Sequence, residues 1–506
     1  MRINDKTAQT RVNFYTNIVS LAVNIIIALV YTPYLVDQLG VSAYGILPLA
    51  LIINQYISVA TGALTSSYTR FYSVALQKSD YEQASRVIST SMLAIGAIVI
   101  CVLPIFIGVI IKIDNLFQIP EGLTASAQYL FIYTALSFIV SLLSSLLNVT
   151  LYAQNRLDLM NLLKIVRNVM KLVVVWILFE YINVNVAYVG LSGFLTECIV
   201  LAISAYLFLK TKPSEIKIRL NTFDKTILTA IIAMSAWVLV QQLGDTLLYR
   251  TDNLLFNLYL GPEASGRLGA ISSLGSYVMV ITNVVGSLFG PLILIAYSKE
   301  NHKEVQSLAM TQSKIVGCLS AVLCGTIAGV SSPLLSLWLD SSFAVYDSWL
   351  IIKLLPLPFY AAGGILAYVY RAWNKVKFPA IMTVILGIID IILILLFCSL
   401  FDFHQAKVIL YISALFSIVQ SYVLNIYCVN RIYSGVWKIG TGSFITILAV
   451  CLIAYIISKS FNCWWEIDTL WVLLSQMVLS ALITLGILIF LIFKKHERKS
   501  LFSIIK

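Results

Sequence analysis

Runs of roughly 20 apolar residues recur along the whole chain, from about residue 14 to residue 493. A run of that length crosses a bilayer core of roughly 30 Å as a helix. Recurrence from end to end excludes a water-soluble domain with one anchor. Composition agrees: 60% of the 506 residues are hydrophobic and 11% are charged, against roughly 25% charged in a soluble domain. Lipid is the solvent for most of the chain, and the predicted fold class is all-α integral membrane.

The runs predict about 14 transmembrane helices, near 14–36, 45–67, 87–111, 127–150, 169–182, 187–209 and 226–249, then 268–296, 315–338, 350–370, 380–400, 408–429, 442–460 and 470–493. The first run continues to about Val36. That is longer than the roughly 7–15 apolar residues of a signal peptide, and no small-residue cleavage site follows, so it reads as the first span. Charge sets the orientation. Of the 34 lysines and arginines, all but Lys112, Arg250, Arg267, Lys353, Lys407 and Lys459 fall in segments on one side, beginning with Arg2, Lys6 and Arg11. Positive residues gather on the cytoplasmic side, so both termini are expected in the cytoplasm. One missed helix would move every later loop across and destroy this asymmetry. The net charge of +11 is spread over short loops and forms no basic patch, so no nucleic acid partner is expected.

Two short motifs repeat at nearly one offset. Leu39-Gly40-Val41-Ser42-Ala43-Tyr44-Gly45 follows the first span, and Leu260-Gly261-Pro262-Glu263-Ala264-Ser265-Gly266 follows the seventh; both read L-G-x-x-A-x-G. Ala153-Gln154-Asn155-Arg156 after the fourth span is echoed by Ala372-Trp373-Asn374-Lys375 after the tenth. Six spans is an even number, so the repeats are parallel. The expected organisation is an N-terminal six-helix bundle over 1–210 and a cytoplasmic linker over 211–225. A C-terminal six-helix bundle over 226–430 and two additional helices with a basic tail over 431–506 complete it. A central cleft between the bundles would serve alternating access.

Polar residues inside spans point to function, because a charge at a helix centre costs roughly 2.5–3.5 kcal/mol on insertion scales. Trp237, Gln241, Asp245, Tyr249 and Asp252 fall on one helical stripe, with Arg250 beside it. In the first span Asn13, Asn17, Ser20 and Asn24 do the same. Both stripes are candidates for the cleft; the competing reading is hydrogen bonding between helices. Ser137, Ser141, Ser144 and Asn148 read as packing positions. Glu197 and Asp390 are lone acids in the sixth and eleventh spans, candidates for ion coupling or for pairing with a neighbour. No cofactor or metal is expected: GxxxxGK[ST] and CxxC are absent, and His302, His404 and His496 have no ligand spacing. Energy would come from an ion gradient, the membrane potential or removal of product.

The basic start, the turn YTPYLVDQLGVSAYG and the turn TDNLLFNLYLGPEASG resemble the Wzx-type polysaccharide flippases of the multidrug/oligosaccharidyl-lipid/polysaccharide (MOP) superfamily. The resemblance implies flipping of undecaprenyl-diphosphate-linked oligosaccharide units across a bacterial inner membrane for O-antigen or capsule. It implies a polysaccharide polymerase and a chain-length regulator as partners. The related lipid II flippases typically carry arginines in the first helix, and many multidrug exporters an acid there; this first span has neither. A diphosphate needs cations. Lys164, Arg167 and Lys171 share a helix face at the inner side, Arg70 lies on that side too, and Lys353 lies on the outer side. Positive-inside topology alone would also place the inner group. Alternatives are a small-molecule cation antiporter, a polymerase or glycosyltransferase, and a channel. The enzyme is disfavoured because the longest outer segment, near 250–267, is short and offers no trusted carboxylate pair.

Overall fold

Unbonded backbone amides are costly in lipid, so spans satisfy them internally as helices. The computed structural model describes residues 6–217, 223–287, 293, 296–297, 299–373, 375–400, 405–465, 467–494 and 497–498. Arg2, Arg219, Asn374, His404, Lys495, His496, Lys499 and Lys506 lie outside them. Among the described residues, regular structure is helical throughout.

The long helices, in order, are Lys6–Leu39, Ile46–Gln77, Tyr81–Ile111, Thr124–Ala153, Leu157–Tyr181, Val186–Thr211 and Lys225–Arg250. Then come Asp252–Ser287, His302–Gly329, a tenth in two pieces (Asp347–Leu354 and Leu357–Ala372), Lys377–Leu400, Gln405–Asn430, Val436–Trp464 and Leu470–Ile487. Within the described residues, helices thus lie over each predicted span, the eighth as far as Ser287. Among the described residues, ten helices are long and apolar enough to cross a membrane, or eleven if a bent pair over 225–282 is one span, against the roughly 14 predicted. The fifth helix, with its three cations, is not among them.

Two boundaries differ from expectation. The fifth helix begins at Leu157, well before 169, because Lys164, Arg167 and Lys171 interrupt its hydropathy without interrupting its backbone. The segment 250–267, expected as a loop, is helical on both sides of Gly261. Gly261 (φ 87°, ψ 177°) takes a conformation open essentially to glycine alone, and with Pro262 it kinks the helix. Polar side chains start several helices by accepting a free amide: Asp80 from Gln83 at 2.9 Å, Asn185 from Ala187 at 2.9 Å and Asn301 from Glu304 at 3.2 Å.

Contacts divide the chain into two compact units, Met1–Thr246 with Phe256–Gly266, and Leu247–Leu255 with Arg267–Lys506. The first is centred on Tyr68, Tyr72, Val87, Ile88, Leu146 and Val149, and the Tyr72 hydroxyl bonds Thr150 at 3.0 Å. The linker is tied to the third helix: the Lys217 and Asp224 amides donate to Ser85 and Thr90, both at 3.1 Å. Asp224 accepts from the amides of Ile227 and Thr226. These bonds, that of Ile227 foremost, hold its carboxyl below the usual carboxylate range.

In the second unit the ninth helix is, with the tenth, the most enclosed. Its Gly317, Gly325 and Gly329 lie against Ile447, Ala454 and Ser458 of the thirteenth helix. Small residues let helix backbones approach in lipid, and Ser458 then donates to the Thr326 carbonyl at 2.8 Å. The thirteenth helix is thereby packed onto the second unit. Cys463 lies within that helix. The seven cysteines with described side chains are free thiols.

Candidate functional site

In the first unit, polar residues of the fifth helix meet the first and sixth. Positions 164, 167, 168 and 171 share a face at helical spacing. Arg167 pairs with Glu197, with Nε 2.6 Å from Oε1 and Nη2 3.1 Å from Oε2. The two groups that the sequence assigns to separate roles are therefore partners. Next to Arg167 in sequence, Asn168 donates to Asn24 at 2.6 Å. A turn further, the Lys171 ammonium rests 5.3 Å from the Tyr31 ring centre. Arg167 and Glu197 form an ion pair, and Lys171 is within electrostatic reach of Glu197 as well. Lys164, Arg70 and Asn17 are exposed.

The stripe on the first helix divides. Asn13 is buried and donates to the Asn155 carbonyl at 2.9 Å while accepting from the Asp158 amide at 3.0 Å. Asn24 bonds Ser20 and Asn168. Both join helices, the work that intramembrane amides often do. On the seventh helix Gln241 donates to Asp245 at 3.1 Å, with Trp237 one turn before and half-buried.

The second unit holds a denser network. Asp252 is 4% exposed; it pairs closely with Lys353 and accepts from Ser413 at 2.6 Å. Asp390 is 1% exposed, interacts electrostatically with both Asp252 and Lys353, and has no hydrogen-bond partner at Oδ1. Two carboxyl groups and one ammonium thus lie within electrostatic reach of one another. Beside it, Tyr249 donates to Gln420 at 2.9 Å and Gln420 donates to Thr383 at 3.2 Å. Gln420 sits on a π-helical turn, Val419–Leu424, a distortion frequent at functional sites. Gly363 of the tenth helix lies directly against the Ser421 carbonyl there, where a β-carbon would collide. The Tyr249 ring meets Tyr360 edge-on at 5.4 Å. Arg250, next in sequence, is exposed.

Asn168, Tyr31, Ser413 and Gln420 were not singled out from the sequence. Gln420 was visible as an amide within an apolar run, and Asn168 as the neighbour of Arg167. Tyr31 and Ser413 gave no signal, because one tyrosine or serine in a span is ordinary.

A family profile described as "Polysaccharide biosynthesis protein" matches residues 12–294. The uncharacterized membrane protein EpsK of Bacillus subtilis (strain 168) is 27% identical over 389 residues, which is 76% of this chain and 75% of EpsK. Among solved structures, a multidrug resistance transporter of the MATE family is similar with a TM-score of 0.67 at 14% identity, covering 83% of this chain and 96% of that one. The lipid II flippase MurJ is similar with a TM-score of 0.64 at 15% identity, covering 95% and 98%. The MATE transporter VcmN of Vibrio cholerae is similar with a TM-score of 0.60 at 15% identity, covering 85% and 99%. The chain belongs to the polysaccharide biosynthesis protein family and is a multi-pass membrane protein with the fold of the MATE transporters and the lipid II flippase.

Proposed function

We propose that this protein flips undecaprenyl-diphosphate-linked oligosaccharide units across the bacterial inner membrane, by alternating access, for assembly of O-antigen or capsule. The observation that carries this proposal is the family match over more than half of the chain. Likeness to the lipid II flippase extends over 95% of the chain. The MATE structures leave a stretch about as long as the last two helices without a counterpart. The distribution of lysine and arginine supports cytoplasmic termini, and a polymerase with its chain-length regulator would consume the flipped unit.

Charge supports the assignment of roles. A diphosphate entering from the cytoplasm would meet Arg70 and Lys164, then Lys171 beside the Arg167–Glu197 pair. Arg250 is the cation for the outer side; Lys353 is committed to Asp252 in this structure. Asn17, Asn24, Trp237, Gln241, Asp245, Tyr249 and Asp252 would line the passage. Glu197 is held by Arg167, which leaves Asp390 as the carboxylate for a coupling cation.

Deleting the gene in its host tests the proposal. The expected result is loss of surface polymer with single lipid-linked units accumulating on the cytoplasmic side, both restored by the intact gene. Normal polymer with altered tolerance to cationic drugs would overturn it and favour the antiporter; multidrug resistance is the role named for one MATE neighbour.

A further inference from the structure

The two L-G-x-x-A-x-G turns, separate in sequence, meet in the structure. A β-carbon at Gly45 would overlap the Pro262 carbonyl and lie 2.9 Å from the Gly266 nitrogen. A β-carbon at Gly266 would overlap the Val41 carbonyl and lie 3.1 Å from the Gly45 nitrogen. The contacts are reciprocal: each motif's last glycine abuts the other's last glycine and the carbonyl of the other's third residue. The first glycines match as well. Gly40 (φ 77°, ψ 156°) and Gly261 (φ 87°, ψ 177°) share a backbone conformation open essentially to glycine alone. Gly40 and Gly261 thus bend the chain, while Gly45 and Gly266 permit backbone to touch backbone.

A second tie lies close by. The Gln118 amide donates to Asn257 Oδ1 at 2.8 Å, Asn257 Nδ2 donates back to the Gln118 carbonyl at 3.0 Å, and the Gln118 side chain donates to the Leu258 carbonyl at 2.8 Å. Asn257 and Ser265 are fully buried. The segment Phe256–Gly266, which belongs to the second repeat by sequence, is grouped by these contacts with the first unit. Both turns lie an odd number of spans from the N-terminus, at the membrane face opposite to it.

We propose that the paired glycine turns are a two-fold clasp closing the outer end of the transporter, with the Gln118–Asn257 bonds as its lock. The clasp must part before cargo can leave on that side. Backbone contact suits this role: it seals tightly without interlocking side chains, and it can re-form in one register only. The proposal rests on the alternating-access reading above, but its first test, thiol labelling, requires no cargo.

The test is thiol labelling in intact cells, in a variant without native cysteines that carries Ser265→Cys. With both glycines present, a membrane-impermeant maleimide should react slowly. Gly45→Ala or Gly266→Ala should raise the rate roughly tenfold or more, whereas Gly96→Ala, whose β-carbon meets nothing within 4 Å, should not. Unchanged labelling in both clasp variants, with the protein still eluting as a folded species, would overturn the proposal. A second variant covers loss of folding. Joining Gln118→Cys to Asn257→Cys with a reducible cross-linker should stop export, and reductant should restore it; export through a fully cross-linked protein would overturn the clasp. If gene deletion leaves surface polymer intact while labelling still rises in the clasp variants, the clasp stands and the cargo assignment falls.

Discussion

Replacing Lys353 with methionine should destabilise the protein by about 3–5 kcal/mol, the usual effect of removing one partner of a buried ion pair. Asp252 would keep its bond from Ser413 but lose its counter-ion, and Asp390 would face an uncompensated carboxylate. A loss of that size should lower the melting temperature of purified protein by on the order of 10 °C for a unit of this length. The double variant Lys353→Met/Asp252→Asn should regain most of the loss, because both members of the pair are then neutral. Thermal unfolding in detergent measures all three proteins. An unchanged midpoint in the single variant, or no recovery in the double, would show that the cluster is not held together by this charge pair.

The second large effect separates two neighbouring cations. Lys171→Ala should leave folding intact and reduce export roughly 10–100-fold, since a hydrogen bond to a charged group contributes about 1.5–3 kcal/mol. Arg167→Ala should instead lower the amount of folded protein, because it strands Glu197, whose side chain is only 13% exposed. Adding Glu197→Gln should restore folding in that variant. Surface polymer and membrane abundance, measured together, distinguish the two patterns. Equal loss of folded protein in Lys171→Ala and Arg167→Ala would remove the special role given to Lys171.

The contrast between those positions shows what the sequence could and could not reveal. Span positions were legible because hydropathy reports the solvent directly, and lipid allows few backbone solutions. The start of the fifth helix was not, since its three cations lower hydropathy while the backbone continues unbroken. The kink at Gly261 read as a loop for a similar reason: glycine and proline mark a break, and sequence alone does not say that helix resumes on both sides. The polar stripes were visible as periodicities, yet their partners were not. Nothing in the order of spans says that Glu197 faces Arg167 or that Asp390 comes within reach of Asp252 and Lys353. The π-helical turn at Gln420 depends on the tenth helix pressing Gly363 against Ser421, a contact between segments far apart in the chain. The glycine motif was legible as a repeat; that its two copies touch reciprocally is a property of the fold.

The direct measurement is reconstitution. Purified protein in liposomes containing an undecaprenyl-diphosphate-linked oligosaccharide should let sugar in the inner leaflet become accessible to an external, membrane-impermeant glycosidase, faster than in protein-free liposomes and much more slowly with Lys171→Ala. Accessibility no greater than in protein-free liposomes, from protein that moves a cationic dye under an imposed ion gradient, would contradict the flippase and identify a cation antiporter on the same fold.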